Sequence, residues 1–372
     1  MVRQDKAETR HVTDVASHFQ IPGSVVDAAP YGSGHINDTY AVTTEDNGSR
    51  RRWLFQRINT NVFKNVDMLM ENISRATSHI RSRMKEDGNA DPDREVLTLI
   101  PTAEGDSCLR TPGDEFWRCY IFIENASSYD VCRGPEQACE AAKAFRSFEG
   151  YLADLPAESF NETIPFFHHS PKRFEALERA IAEDPAGRAA DSQPEISFAG
   201  DRKAMTSVVV DLMKNGEIPA RITHNDTKLN NVLLDDATGK ATCVIDLDTV
   251  MPGSILYDFG DMVRTATPTC LEDEQDLSKV DMDMDLFQGL VRGYLEGASF
   301  ITQIELEHLA FAGRLITFTI GIRFLADHLA GDTYFKVHRP NHNLERARVQ
   351  FKLVELMEER SEAMEAMVRE HC

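Results

Sequence analysis

RITHNDTKLNNVLLDDATGKATCVIDLDTVMPGSILYDFGDMVR, residues 221–264, is the stretch around which the rest of the chain can be read. An apolar lead-in ends at His224, Asp226 follows two residues later and Asn231 lies five further on, giving H-x-D-x-x-x-x-N. Beyond Asn231 the pattern predicts a strand over Val232 to Leu234, a turn across Asp235–Gly239 and a second strand from Ala241 to Ile245 that delivers Asp246. Antiparallel pairing brings the outer ends of such a hairpin together. Asn231 and Asp246 should therefore converge, and two hard oxygen donors side by side suit Mg²⁺.

The spacing of Asp226 and Asn231 is that of a kinase catalytic loop, where the Asp accepts the proton of the attacking hydroxyl and the Asn holds a magnesium ion. Asp226 is thus the candidate catalytic base, and Asn231 and Asp246 are the candidate metal ligands. Residues 258–260 spell Asp-Phe-Gly, which the protein-kinase signature assigns to the metal. That site lies 32 residues after Asp226, whereas Asp246 lies 20 after it and ends the hairpin. Asp258 and Asp261 are instead expected to open the following helix and bond backbone N–H groups of the catalytic segment.

Working outward toward the N-terminus, Val25–Tyr31, the run GSGHIND at 32–38 and Thr39–Thr44 read as strand, turn and strand. Backbone N–H groups of Gly32, Ser33 and Gly34 are candidates to cover nucleotide phosphates. Arg52–Ile58 is a third strand, where a kinase supplies a lysine to the α- and β-phosphates. Here the position holds Gln56 or Arg57, and one residue of register turns the side chain to the other face, so only one can point at the phosphates. A helix over Val62–Met84 carries Glu71, where a kinase places the carboxylate that orients this side chain. Thr98–Thr102 and Phe116–Ile123 read as two more strands, and the backbone at Ile123, just before a linker at Glu124–Tyr129, would meet adenine.

From about Glu124 the composition turns helical, with 3.6-residue periodicity over Pro135–Leu155, Pro171–Ala182, Asp201–Asn215, Met284–Glu296, Gln303–Leu329 and Leu344–Glu370. Arg323 stands inside the apolar run Leu315–Leu325, so its guanidinium must find acceptors. Asp327, four residues on, is a structural answer; a bound ligand is the other.

H-N-D-x-K-x-N-N with I-D-x-D, then P-G and Y-D-F-G-D, resembles the aminoglycoside phosphotransferase and choline kinase superfamily, and most of all its N-acetylhexosamine 1-kinase branch. The likeness runs from GHIND at 34–38 through FQRIN at 55–59 to RFLADHLAGDTYF at 323–335. It implies a two-lobe, protein-kinase-like α+β fold: a sheet-based N-lobe over 1–124 that covers ATP, and a mainly helical C-lobe over 125–372. It also implies transfer of the γ-phosphoryl group of ATP to the anomeric O1 of N-acetylglucosamine or N-acetylgalactosamine with Mg²⁺. His35, Arg323 and Tyr334, together with Asp226, would then hold the sugar. An aminoglycoside, choline or another alcohol is the alternative acceptor, although a cationic acceptor would want carboxylates or an aromatic cage. The missing strand lysine also leaves open a pseudokinase that only binds.

Composition narrows the partners. A net charge of −21 offers no basic face for nucleic acid or anionic lipid. Apolar residues at 42% and charged residues at 27% describe an ordinary globular chain, with no obligate protein partner evident. No apolar run approaches membrane-spanning length and the first twenty or so residues are polar, so the expected compartment is the cytoplasm. Seven cysteines without a C-x-x-C pair suggest neither a disulfide framework nor a zinc site. No G-x-x-x-x-G-K motif is present, which disfavours P-loop folds.

Overall fold

Alternating side chains build the first lobe of the computed structural model, which describes residues 11–32, 36–88 and 91–371. Strands β1 (Ser24–Pro30), β2 (Asp38–Asp46), β3 (Ser49–Ile58), β4 (Leu99–Ile100), β5 (Leu109–Arg110) and β6 (Phe116–Ile121) form one antiparallel sheet. Its order is β1-β2-β3-β6-β4, with β5 also paired to β6. On β3 and β6, Trp53, Phe55, Trp117 and Cys119 face outward and pack beneath Val12, Val15, Ala16 and Phe19. Ile58 and Tyr120 point the opposite way, into the main core. This two-residue period assigns every side chain of the two strands to one face or the other.

The inner face is covered by the helix Val66–Glu86, whose buried stripe includes Leu69, Met70, Ile73, Ile80 and Met84. It begins at Val66 rather than Val62 because Asn65 caps it, accepting a hydrogen bond from the Met68 N–H at 3.1 Å. Three other expected helices are also interrupted, the first of them over 201–215, where a 3₁₀ stretch at Lys203–Ser207 precedes the α-helix Val208–Lys214. Gln303–Glu307 is separated from Leu309–Leu329 at His308, and His342–Glu359 from Ser361–Glu370 at Arg360.

Leu309–Leu329 is the central helix of the second lobe, packed against Ser170–Glu183, Ile255–Ala266 and His342–Glu359. By length and composition alone it could cross a membrane, contrary to the expectation that no run comes close. It is apolar all round because other helices bury it on several sides. Gly260 allows the nearest approach: a Cβ there would lie 2.4 Å from the carbonyl oxygen of Ala312.

Between the lobes lie two small sheets that carry the quoted stretch. β7 (Ala126–Ser127) pairs with β9 (Val232–Asp235), and β9 with β10 (Ala241–Val244); β8 (Arg221–Thr223) pairs with β11 (Met251–Gly253). The architecture is α+β, an antiparallel sheet lobe followed by a helical lobe.

Candidate active site

The hairpin forms as its sequence dictates. Asp235 accepts hydrogen bonds from the N–H groups of Ala237 and Thr238, and Gly239 takes a φ of +69°, so the chain turns back at the expected place. Val232 pairs with Val244, and the Ile245 N–H donates to the Asn231 carbonyl at 2.9 Å. Asn231 and Asp246 thus occupy the same end of the ribbon.

Asp226 sits above them. The Asn231 side-chain amide donates to the Asp226 carbonyl at 2.8 Å and to Oδ2 at 3.1 Å, which leaves Asn231 Oδ1 available to a cation. Lys228 Nζ lies 3.0 Å from Asp226 Oδ2. Burial alone would lower the Lys228 pKa, but the carboxylates of Asp226, Asp246 and Asp261 outweigh it and raise the value, so the ammonium stays charged. Burial, then the charges of Asp248 and Asp226, push Asp246 up to about 7. A half-buried carboxylate crowded by two others favours cations beside it, and Lys228 and Arg118 already act on it in that sense. Among the described residues no cluster of three or more His, Cys, Asp or Glu side chains is arranged to hold a metal. One carboxylate and one amide oxygen, with phosphate oxygens and water completing the shell, fit the manner in which Mg²⁺ is bound at phosphoryl-transfer sites.

The Asp-Phe-Gly triplet serves the loop from behind. Asp258 Oδ2 accepts the His224 N–H and Oδ1 the Asn225 N–H, both at 2.7 Å, and Asp261 Oδ2 accepts the Thr227 N–H at 3.1 Å. Burial lifts Asp258 to about 6. Beneath it lies Glu149, pushed well above the carboxylate range by burial and by the Asp258 charge, and taking a short hydrogen bond from the Tyr294 hydroxyl. Glu149 Oε1 has no hydrogen-bond partner among the described residues. His224 completes the brace: its Nε2 donates to the Ile245 carbonyl at 2.9 Å, its Nδ1 accepts the Asp226 N–H at 3.2 Å, and Phe145 and Phe148 flank its ring.

On the sheet wall, strand alternation decides between the two candidates of β3. Arg57 faces outward, 2.6 Å from Asp38 and 2.7 Å from Glu115, so it does not point at the cleft. Gln56 faces inward, donating to Thr39 Oγ1 at 3.1 Å and accepting from Arg118 Nε at 3.0 Å. The expectation for Glu71 is also corrected. It binds Arg75 at 2.6 Å and Asn161 at 3.0 Å, on the exposed side of its helix, because the inward positions of that turn are taken by Met70 and Asn72. Ile123 is buried just past β6, and its backbone makes no hydrogen bond among the described residues. Gly32 has a φ of +79°, a left-handed turn that glycine takes without strain. Ser33, Gly34 and His35 lie outside the described residues.

The third wall holds Arg323. Asp327 does not pair with it, because that carboxylate accepts the N–H groups of Thr333, Tyr334 and Phe335 at 2.8–2.9 Å and the amide of Asn343 at 2.9 Å. Arg323 has no salt bridge to any described carboxylate; its guanidinium lies 5.5–5.8 Å from the ring centres of Phe167, Tyr334 and Phe335. Burial and the neighbouring Arg173 lower its pKa to about 10, so it remains charged at neutral pH. Among the described residues Arg173 donates only to the Phe167 carbonyl, at 3.1 and 3.2 Å. His168 joins this wall to the loop: its Nε2 donates to the Asn225 carbonyl at 2.8 Å, and it feels the charges of both Arg323 and Asp226. Burial lowers it to about 4, so it is neutral.

Residues 27–283 match the model of the phosphotransferase enzyme family, APH. The chain belongs to that family. Its fold is similar to that of an aminoglycoside phosphotransferase from Alicyclobacillus acidocaldarius, with a TM-score of 0.61 at 14% identity over 96% of this chain and 95% of that one. A choline kinase from Cryptosporidium parvum gives 0.53 at 14% identity over 95% and 97%. A spectinomycin phosphotransferase in complex with ADP and spectinomycin gives 0.53 at 14% identity over 93% and 99%.

The sequence reading of this phosphotransferase passed over four residues that line the site. Lys228 stands inside the quoted H-N-D-x-K motif, so its signal was present. Arg118 is an arginine inside the apolar strand FWRCYI, the same kind of signal that singled out Arg323. Asp248 is the second acid of I-D-x-D. His168 carried no local sign, because only the tertiary structure places it against Asn225.

Proposed function

We propose that the protein transfers the γ-phosphoryl group of ATP to the anomeric O1 of an N-acetylhexosamine, N-acetylglucosamine or N-acetylgalactosamine. In this reading residues 1–124 cover the nucleotide and 125–372 carry the acceptor. Asp226 orients O1 and takes its proton, and Lys228 faces the phosphoryl group in transit. Asn231 and Asp246 would hold Mg²⁺, which when bound neutralises charge on the transferring phosphate. Family membership supports phosphoryl transfer, and the ADP complex of a protein with the same fold supports an adenine nucleotide.

The observation that carries the choice of acceptor is Arg323. With Asp327 committed to backbone amides, its guanidinium is a donor without an ionic partner among the described residues, beside the aromatic rings of Phe167 and Tyr334. Sugar hydroxyl and acetamido oxygens satisfy such a donor, and a ring face packs on the aromatics. Arg173 adds a second positive charge to this wall. Choline or an aminoglycoside would meet repulsion there, since both are cations.

ATP consumption measured against hexoses, N-acetylhexosamines, choline and aminoglycosides tests the reading, with phosphorus NMR locating the new ester. We expect turnover with an N-acetylhexosamine and an acid-labile 1-phosphate. Phosphate on O6, or turnover confined to cationic alcohols, would refute it.

A further inference from the structure

We propose that Arg118 of β6 does the work of the absent strand lysine, binding the α- and β-phosphates of the nucleotide, with Gln56 and Asp248 holding its guanidinium in place. The inference rests on the phosphotransfer reading and names a phosphate ligand within it.

Three observations converge on this residue. Arg118 stands directly opposite Gln56 in the β3–β6 register and shares the inward face of the sheet, which Arg57 does not. Its side chain is only 1% exposed, and a guanidinium is not buried so completely without anionic company. That company is Asp248, two residues beyond the proposed metal ligand Asp246, to which Arg118 Nη1 donates a short hydrogen bond.

The protein engages part of the guanidinium and leaves one nitrogen unengaged. Nε is spent on Gln56 Oε1 at 3.0 Å and Nη1 on Asp248, while Nη2 donates to no described residue. Asp248 is itself held by the Asn37 amide at 2.5 Å, so the residue that leads into β2 is tied to the same group. In a kinase the helix glutamate orients the phosphate-binding cation; here Glu71 is engaged by Arg75 and Asn161, and Asp248 takes over that duty. A planar guanidinium also suits two neighbouring phosphate oxygens better than an ammonium does.

The rival explanation is that Arg118 and Asp248 form a strut between the lobes and touch no ligand. Calorimetric titration with adenosine, AMP, ADP and ATP separates the two, using the wild type, Arg118→Lys and Arg118→Gln. We expect wild-type affinity to rise from adenosine to ADP. Arg118→Gln should lose about 10–100-fold toward ADP, the usual worth of a charged hydrogen bond, and keep its adenosine affinity. Should Arg118→Gln not fold, Arg118→Lys carries the test, since it keeps the charge and loses the fork; it should weaken ADP by roughly tenfold with adenosine unchanged. Equal losses for adenosine and ADP, or wild-type ADP affinity in the substituted proteins, would overturn the proposal. A wild-type protein that binds no adenine nucleotide would instead bring down the phosphotransfer reading itself.

Discussion

The catalytic hairpin and the two walls that face it are held by different means. Around the hairpin the groups that shape the catalytic loop are engaged by the protein itself: Asp258 and Asp261 take backbone amides, His224 bridges loop and strand, and Asn231 grips Asp226. The facing walls present cations with donors to spare, Arg118 on the sheet and Arg323 on the central helix. Satisfied groups fix geometry before any ligand arrives, which is what positioning chemistry requires. Spare donors do the reverse and gain only when a ligand fills them.

That contrast can be broken most sharply at Asp226. Asp226→Asn keeps the shape of the loop and removes the base, so turnover should fall by roughly 10²–10⁴-fold while nucleotide binding persists. A loss of nucleotide binding in a titration would show instead that the loop had collapsed. Arg323→Ala and Asp327→Ala come next, and they should diverge. Asp327→Ala strips acceptors from three backbone amides and should lower stability by about 2–3 kcal/mol or more in thermal melts. Arg323→Ala should leave the melting temperature near wild type and raise the KM for sugar about 10–100-fold; unfolding of this variant would give the guanidinium a structural role.

Asp258→Asn should cost about 1–3 kcal/mol, because an amide turns an NH₂ donor toward one of the two N–H groups its carboxylate accepts. It should spare magnesium-dependent nucleotide binding. If it abolishes that binding while Asp246→Asn retains it, the metal belongs to the Asp-Phe-Gly triplet. The smallest effect is expected at Glu149. Glu149→Gln copies the protonated acid and should shift stability by under about 1 kcal/mol at pH 7. The sign of its pH effect follows from raised pKa values. Between the ordinary carboxylate range near 4 and about 6, the folded protein keeps protons at Glu149 and Asp258 that the unfolded chain releases, so stability falls as pH rises. Melting curves of Glu149→Gln across that range should be flatter than wild type; a steeper curve would mean Glu149 is ionised in the fold.

Asp226, Asn231 and Asp246 were legible because their placement is local: a hairpin of two short strands, with its turn written in Asp235 and Gly239, sets it within one continuous stretch. That Asp258 would bond backbone N–H groups of the loop could be anticipated too, although it does not open the helix, which starts at Ile255 with Ser254 as its cap. The helices of the second lobe were visible as periodic runs, though the breaks at His308 and Arg360 were not, because neither has a glycine or proline to announce it. The long-range contacts escaped the sequence. Which of Gln56 and Arg57 faces the cleft depended on strand register, and Glu71 was judged by its place in the chain when the rotation of its helix turned it to Asn161. Arg323 was readable as a cation inside an apolar run, but only the fold showed that it is half-buried and that Asp327 was spent on the loop after it. A sequence fixes what lies within a turn or a hairpin of itself, by dihedral preference and period. Arg118 meets Asp248 across 130 positions, and only the packing of one lobe on the other decides such a contact.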